Sequence, residues 1–219
     1  MIDLLCPTYG RPERMATMYK SAKDTAELPK DVVVWAAIEE DDAQRYNYKV
    51  GLHFDCIVIG KWGYAAPAWN TLVKHSNGAI IHQTADDLIF RTRGWDLKVR
   101  DHFCEQPFKV LHYKDDLRDE RMALNAFVSR EFVKRIGYID PELWHFFSDT
   151  HLEEIGRLAG TLVYDPTIHI TQAHFKNSLA PFDATYAKTR NNEIHAHDLA
   201  VWNKNANWRK DLAARLTAS

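Results

Sequence analysis

The run DVVVWAAI, residues 31–38, constrains the fold more than any other stretch. It is dense in β-branched residues and shows no polar alternation, the pattern of a strand buried on both faces. Such a strand needs a covering layer on each side of its sheet. IDLLC (2–6), DCIVIG (55–60) and AIIHQT (79–84) are further short apolar runs that read as strands. RPERMATMYKSAKD (11–24) places Met15, Met18, Tyr19 and Ala22 at helical spacing. YAAPAWNTLVKHS (64–76) reads as a helix that tolerates Pro67 only near its first turn. This alternation predicts an α/β fold with a mostly parallel central sheet and helices on both sides.

The second half is more mixed. FKVLHY (108–113) and MALNAFV (122–128) read as strands around a loop of mixed charge, and SREFVKRIG as a short helix stopped by Gly137. DTHLEEIGRLAG (149–160) reads as a helix with Asp149 as N-cap and Gly160 at its C-terminus. LVYDPTIHITQAHF supplies one or two more strands, and the remainder is helical. The expected organisation is a domain of residues 1–184 with a helical C-terminal extension, 185–219, packed on or beside it.

A length of 219 residues suits one large domain or a domain with a small appendage. The formal net charge of −2 argues against a strong global field toward nucleic acid or membrane. The tail is locally basic, with Lys204, Arg209, Lys210 and Arg215 against Asp211, and carries Trp202 and Trp208. It reads either as a solvated helix end or as a contact surface for an acceptor or partner. Cys6, Cys56 and Cys104 show no CxxC spacing, and the first two sit in apolar stretches, which fits a reducing compartment. No signal peptide or membrane-length apolar run is present, so a cytoplasmic protein is expected.

In parallel sheets, ligands bind beyond the carboxyl ends of the strands. PTYGR, EEDD and ADD fall at the ends of the first, second and fourth strands. Asp86 and Asp87 are adjacent acids that repel, and burying them is costly unless a cation compensates. Their oxygens suit Mg²⁺ or Mn²⁺, which usually take remaining ligands from water and substrate phosphates. A turn capped by the two acids is the plainer alternative. Pro7 and Gly10 shape a loop presenting Thr8, Tyr9 and Arg11, fit to cradle a nucleotide or simply to lead into the helix. In the acidic run from Glu39 to Asp42, carboxylates accept from a base or ribose, or are solvated. Asn70 lies on an otherwise apolar helix face, where an amide needs a partner.

Among the eleven histidines, His82 reads as a core residue in its strand. His169 and His174 are offset by five, which puts them on opposite strand faces, and His174 is the better candidate ligand. His195 and His197, two apart on a helix, do not face each other. Trp62, Trp69, Trp95 and Trp144 serve either the core or a sugar-stacking platform. The phosphate-loop, GxGxxG and GxSxG motifs are absent from the sequence.

Taken in order, PTYGRPE, the acidic cluster, an Asn in the next helix, ADD and GW (94–95) resemble the family 2-type glycosyltransferases of the GT-A fold, a Rossmann-like three-layer sandwich. GYIDPELWHFFSDT resembles that family's acceptor-side segment, which ends in an acidic motif. HITQAHFKNSLAPFDATY resembles a later segment of short, phage-type members, in which a histidine after a strand joins the metal. The resemblance covers residues 1 to about 190.

It implies a nucleotide pocket of Pro7, Thr8, Tyr9 and Arg11, with Glu39 near the base and Asn70 helping to hold the donor. It further implies Asp87 and His174 as ligands of Mn²⁺ or Mg²⁺, Asp86 facing ribose or metal, and Asp149 as general base. Two departures stand out: Ala85 replaces the usual first Asp of Asp-x-Asp, and Ser148 replaces the acid before Asp149. The implied reaction is metal-dependent, inverting transfer from a nucleotide-sugar, first of all a UDP-sugar. The acceptor stays open among a sugar, a protein and modified DNA. A nucleotidyltransferase is the alternative enzyme, although it would want a Gly-rich basic loop where PTYGRPER has one glycine. A binding module without turnover is the alternative that is not an enzyme.

Overall fold

The computed structural model describes residues 1–46, 54–117, 122–189 and 191–218. The chain runs β1 (Ile2–Thr8), α1 (Pro12–Thr25), β2 (Val32–Glu39), β3 (Cys56–Gly60), α2 (Ala65–His75), β4 (Ile80–Gln83) and β5 (Leu88–Phe90). It continues through α3 (Trp95–Glu105), β6 (Val110–Lys114), β7 (Phe127–Ser129), α4 (Arg130–Ile136), α5 (Ser148–Leu158) and β8 (Leu162–Gln172). Three helices close it: α6 (Ala184–Thr189), α7 (Asn192–Lys204) and α8 (Ala206–Thr217).

The strands form one sheet in the order β3-β2-β1-β4-β7-β6-β8-β5. β3, β2, β1 and β4 are parallel, with Ile2 opposite Val32 on one side and Ile80 on the other. β7 runs antiparallel to β4 and β6, β8 is parallel to β6, and β5 antiparallel to β8. The chain moves outward from β1 to β3 and then returns to β4 on the opposite side of β1. That reversal is a topological switch point, where the loops leaving β1 and β4 part and open a crevice.

Each face of the sheet has its own core. On one, Met15, Met18 and Ala22 of α1 pack with Leu4, Val34, Phe90 and Trp95. On the other, Leu72 of α2, Phe132 of α4, Leu152 and Ile155 of α5, and Leu212 and Leu216 of α8 pack over Leu5 and Ile81. Gly156 lets α5 approach β6, since a Cβ there would lie 2.8 Å from Val110 Cγ2. Among the described residues, no helix is long and apolar enough to cross a membrane.

Several elements differ from the sequence expectation. β2 is buried on both faces only toward its carboxyl end, because Val33 and Trp35 are half-buried. β3 is a sheet edge, which leaves Ile57 and Ile59 exposed. MALNAFV is a strand only from Phe127, because Asn125 takes a left-handed backbone (φ 52) that no ladder accommodates. Part of the mixed-charge loop before it, residues 118–121, lies outside the described residues. β8 is one long strand whose register against β6 jumps from Asp165 to His169, and Pro166 sits in that irregularity. Helix α5 starts at Ser148 with Phe147 as N-cap, so Asp149 is a first-turn residue and not the cap.

Candidate active site

A cavity of about 500 Å³, within the size range of small-molecule sites, opens beyond the carboxyl ends of β1 and β4. The loop after β1 brings Pro7, Thr8, Tyr9 and Arg11 to its wall. Gly10 turns that loop with φ +68, and its N–H donates to the buried Asp42 carboxylate. A relay of hydrogen bonds then ties the loop to the acid pair. The Arg11 N–H donates to Tyr46 Oη (3.1 Å), which lies 2.8 Å from Thr8 Oγ1, and Thr8 donates to Asp86 Oδ2 at 2.8 Å.

Asp86 and Asp87 are each 5 % exposed and line the cavity. Burial raises both carboxyl pKa values, and at Asp86 the neighbouring Asp87 adds to the rise against the pull of Arg11. Arg11 Nη1 lies 3.2 Å from Asp86 Oδ1. The same guanidinium is clamped from its other side by Asp183, with Nε at 2.9 Å and Nη2 at 2.7 Å, and lies 4.1 Å from the Tyr186 ring centre. Asp87 accepts from Tyr186 Oη at 2.9 Å and from Gln172 Nε2 at 3.3 Å. Residues 182–189 therefore close over the acid pair, with Thr185 donating to Tyr9 O and Lys188 lying over the Tyr9 ring.

His174 is buried just beyond β8, its ring edge-on to Tyr186 with centres 4.8 Å apart. Its Nδ1 accepts the Lys176 N–H at 3.1 Å. The neutral ring then carries its proton on Nε2, so metal ligation would require it to release that amide. Among the described residues, no group of three or more His, Cys, Asp or Glu side chains gathers as a ready-made metal cage. The donor set fits an ion held by one or two protein ligands and completed by substrate phosphates, because Asp87 is a buried acid whose partners here, Tyr186 and Gln172, are neutral.

Asp149 lies on the wall formed by α5 and accepts the Thr150 N–H at 2.8 Å. The loop ahead of it is fixed from α7. The fully buried Asp198 accepts the N–H groups of Trp144 (2.9 Å), His145 (2.9 Å) and Phe146 (2.7 Å). Phe147, with φ 63, stacks on Trp202 and meets the His195 ring. Of the three described non-glycine residues in the left-handed region, Asn125 and Phe147 both line the cavity, so the strained backbone is concentrated at the site.

The structure thus gathers Pro7, Thr8, Tyr9, Arg11, Glu39, Asp86, Asp87, Asp149 and His174 around one cavity. Asn70 is not among them: its amide pairs at both ends with the backbone of Ile139, at 3.0 and 3.1 Å, and so holds the 139 loop against α2. Glu39 lines the cavity with its carboxylate engaged by the N–H groups of Trp62 and Gly63. The rest of the acidic run is dispersed, with Glu40 paired to Lys61 and Asp42 to Arg45. His82 is a core residue: burial lowers its pKa to about 3, and it stacks on Phe127. His169 pairs with Asp116, away from His174, and His197 stacks on Trp144. Trp95 is buried in the core, whereas Trp62 and the largely buried Trp69 both line the cavity. Sequence reasoning missed Asp183, Tyr186, Gln172 and Gln83. The first two stand in the quoted PFDATY stretch, where an acid and an aromatic three apart were the available signal.

Comparison of the whole fold with solved structures yields close architectural matches. S. aureus TarS superposes with a TM-score of 0.64 at 11 % identity, over 78 % of this chain and 36 % of that one. The mannosyltransferase PcManGT from Pyrobaculum calidifontis, in complex with GDP-Man and Mn²⁺, gives 0.63 at 14 % identity, over 98 % of this chain and 73 % of that one. The fold is GT-A. TarS 1–349 in complex with UDP-GlcNAc gives 0.63 at 11 % identity, over 99 % of this chain and 70 % of that one. The likeness is one of overall fold, and identities this low carry it no further. The chain spans little more than a third of the length of the first of these. No protein-family model and no curated protein matches the sequence.

Proposed function

We propose that this chain is a glycosyltransferase that moves a sugar from a nucleotide-sugar, a UDP-sugar first of all, to an acceptor, with Mn²⁺ or Mg²⁺ and with inversion. One observation carries the reading: two adjacent buried acids line a ligand-sized cavity at the switch point of a GT-A sheet. Solved neighbours of that fold are bound to UDP-GlcNAc or to GDP-Man with Mn²⁺, which supports a nucleotide-sugar as the ligand class.

Asp87 would hold the ion, joined by His174 once its ring releases the Lys176 amide. A bound divalent ion stabilises negative charge growing on a departing diphosphate. Thr8 and Arg11 keep Asp86 oriented through the bonds described above. Asp149, placed by the Asp198-fixed loop, takes the proton of the acceptor hydroxyl. Attack from the face opposite the leaving group gives inversion. Arg11 is already paired with both Asp86 and Asp183, so its charge is committed within the protein and the loop offers little grip on a triphosphate, which weighs against nucleotidyl transfer.

The test is a thermal-shift panel of UDP, UDP-glucose, UDP-GlcNAc, GDP and GDP-mannose with and without Mn²⁺, followed by donor hydrolysis. A ligand that binds only the folded state raises its melting temperature. Stabilisation and hydrolysis that both need Mn²⁺ and vanish in Asp87→Ala are expected. The proposal fails if no nucleotide or nucleotide-sugar stabilises the protein.

A further inference from the structure

Gln83 is the last residue of β4 and is 1 % exposed. Its backbone is fully committed: its N–H donates to Ala126 O at 3.2 Å and its C=O accepts from Asn125 Nδ2 at 2.8 Å. Its side-chain oxygen Oε1 is buried with no hydrogen-bond partner among the described residues. Proteins pair nearly all such atoms, because a buried polar group without a partner keeps its desolvation penalty. Tyr138 and His151 also carry unpaired buried atoms, but neither lines the cavity, whereas Gln83 does. Ala37, Ala65, Ala68 and Ala85 line the same cavity with small side chains, and Oε1 itself is closed off from it until the amide turns.

The chemistry of the unpaired atom narrows what that group is. Oε1 is an acceptor and needs an O–H or N–H donor. The phosphate oxygens of a nucleotide-sugar offer only acceptors. A sugar hydroxyl both donates and accepts, so it pairs with either end of the amide. Under the proposed function the nucleoside lies along the loop after β1, and the transferred sugar lies beyond the diphosphate. We propose that Gln83 is a specificity-determining residue that reads a hydroxyl of the transferred sugar. This rests on the nucleotide-sugar reading and adds to it the residue that distinguishes one sugar from another. A site built around such a bond discriminates strongly against a sugar lacking that hydroxyl, because the amide is then left unpaired.

The experiment uses the full chain with Mn²⁺ and isothermal titration calorimetry. UDP, UDP-glucose, UDP-galactose, UDP-GlcNAc, GDP and GDP-mannose are screened, and the tightest nucleotide-sugar is carried forward with its monodeoxy analogues. In Gln83→Leu, affinity for that nucleotide-sugar is expected to fall at least about tenfold, equivalent to about 1.4 kcal/mol, while affinity for the matching nucleoside diphosphate is unchanged. One monodeoxy analogue should show the same loss on the native protein and no further loss on the variant. Unchanged nucleotide-sugar affinity in the variant overturns the assignment. So does an equal loss for the diphosphate, which would place Gln83 against base or ribose. If Gln83→Leu does not fold, the monodeoxy series on the native protein decides, and a series with no discriminated position overturns the assignment. A native protein that binds none of the six probes refutes the nucleotide-sugar reading itself, and that result appears before any variant is made.

Discussion

Replacing Asp198 by alanine tests how the C-terminal helices hold the cavity. The carboxylate is fully buried on α7 and accepts three consecutive N–H groups from residues 144–146, with His197 Nδ1 at 3.0 Å as a fourth neighbour. A hydrogen bond to a charged group contributes about 1.5–3 kcal/mol, so the three backbone bonds sum to about 5–9 kcal/mol. That sum is an upper bound, because water enters and the loop relaxes once the acid is gone. The expected loss is about 3–5 kcal/mol, the size seen when one partner of a buried charged pair is removed. Urea unfolding reads it as a fall in midpoint of about 1–2 M at an m-value of about 2–3 kcal/mol per M. Asp198→Asn keeps one acceptor oxygen and should lose about half as much. A loss below about 1 kcal/mol in Asp198→Ala would show that these N–H groups find other partners and that α7 does not fix the loop.

Three further outcomes follow from the same structure. Asp87→Asn removes a buried acid whose pKa is raised by burial, so the ligand-free protein should become more stable at pH 7 while Mn²⁺-dependent stabilisation by nucleotides disappears; a loss of stability without ligand would contradict this. Burial lowers His82 and His151 to about 3 and His112 to about 4, against about 6.5 in the unfolded chain. Below pH 6.5 the unfolded state therefore binds more protons, and stability falls with falling pH by about 1.4 kcal/mol per unit for each histidine. Burial raises Asp3, Asp86 (to about 6) and Asp87, which act in the opposite sense as pH falls, whereas the lowered Asp116, Asp165 and Asp183 act with the histidines, so a net loss of stability is expected between pH 6 and 5. Urea midpoints that stay flat or rise across that interval would refute it. Gly78→Ala places a Cβ 2.6 Å from Cγ of the fully buried Asp3, so it should cost about 1–3 kcal/mol by calorimetric melting, and a change below about 0.5 kcal/mol would mean that Asp3 moves aside freely.

The parallel half of the sheet was legible because its strands are β-branched runs and its helices carry apolar residues at helical spacing. MALNAFV was over-read as strand: its apolar residues suit a ladder, but Asn125 turns left-handed to tie its amide to Gln83 O. β5 is three residues long, and its partner in β8 lies about eighty positions further along the chain, so nothing local announces it. The acid pair was legible from its place at a strand end. Its closure by Tyr186 was not, since the two residues are 99 apart in sequence. Asn70 shows the same division: an amide on an apolar face signals a partner, but only the tertiary structure shows that the partner is Ile139. Gln83 looks like any polar residue ending a strand, and its unpaired oxygen exists only in three dimensions.

Phe147 holds its helix start in a backbone shape that a large side chain adopts at a cost of about 1–2 kcal/mol. What offsets that cost is the ring's contact with His195 and Trp202, both on α7. A shortened descendant lacking α7 would let Phe147 unwind toward an ordinary conformation and carry the neighbouring Asp149 with it. The last helices and the wall of the cavity can therefore be gained or lost only together.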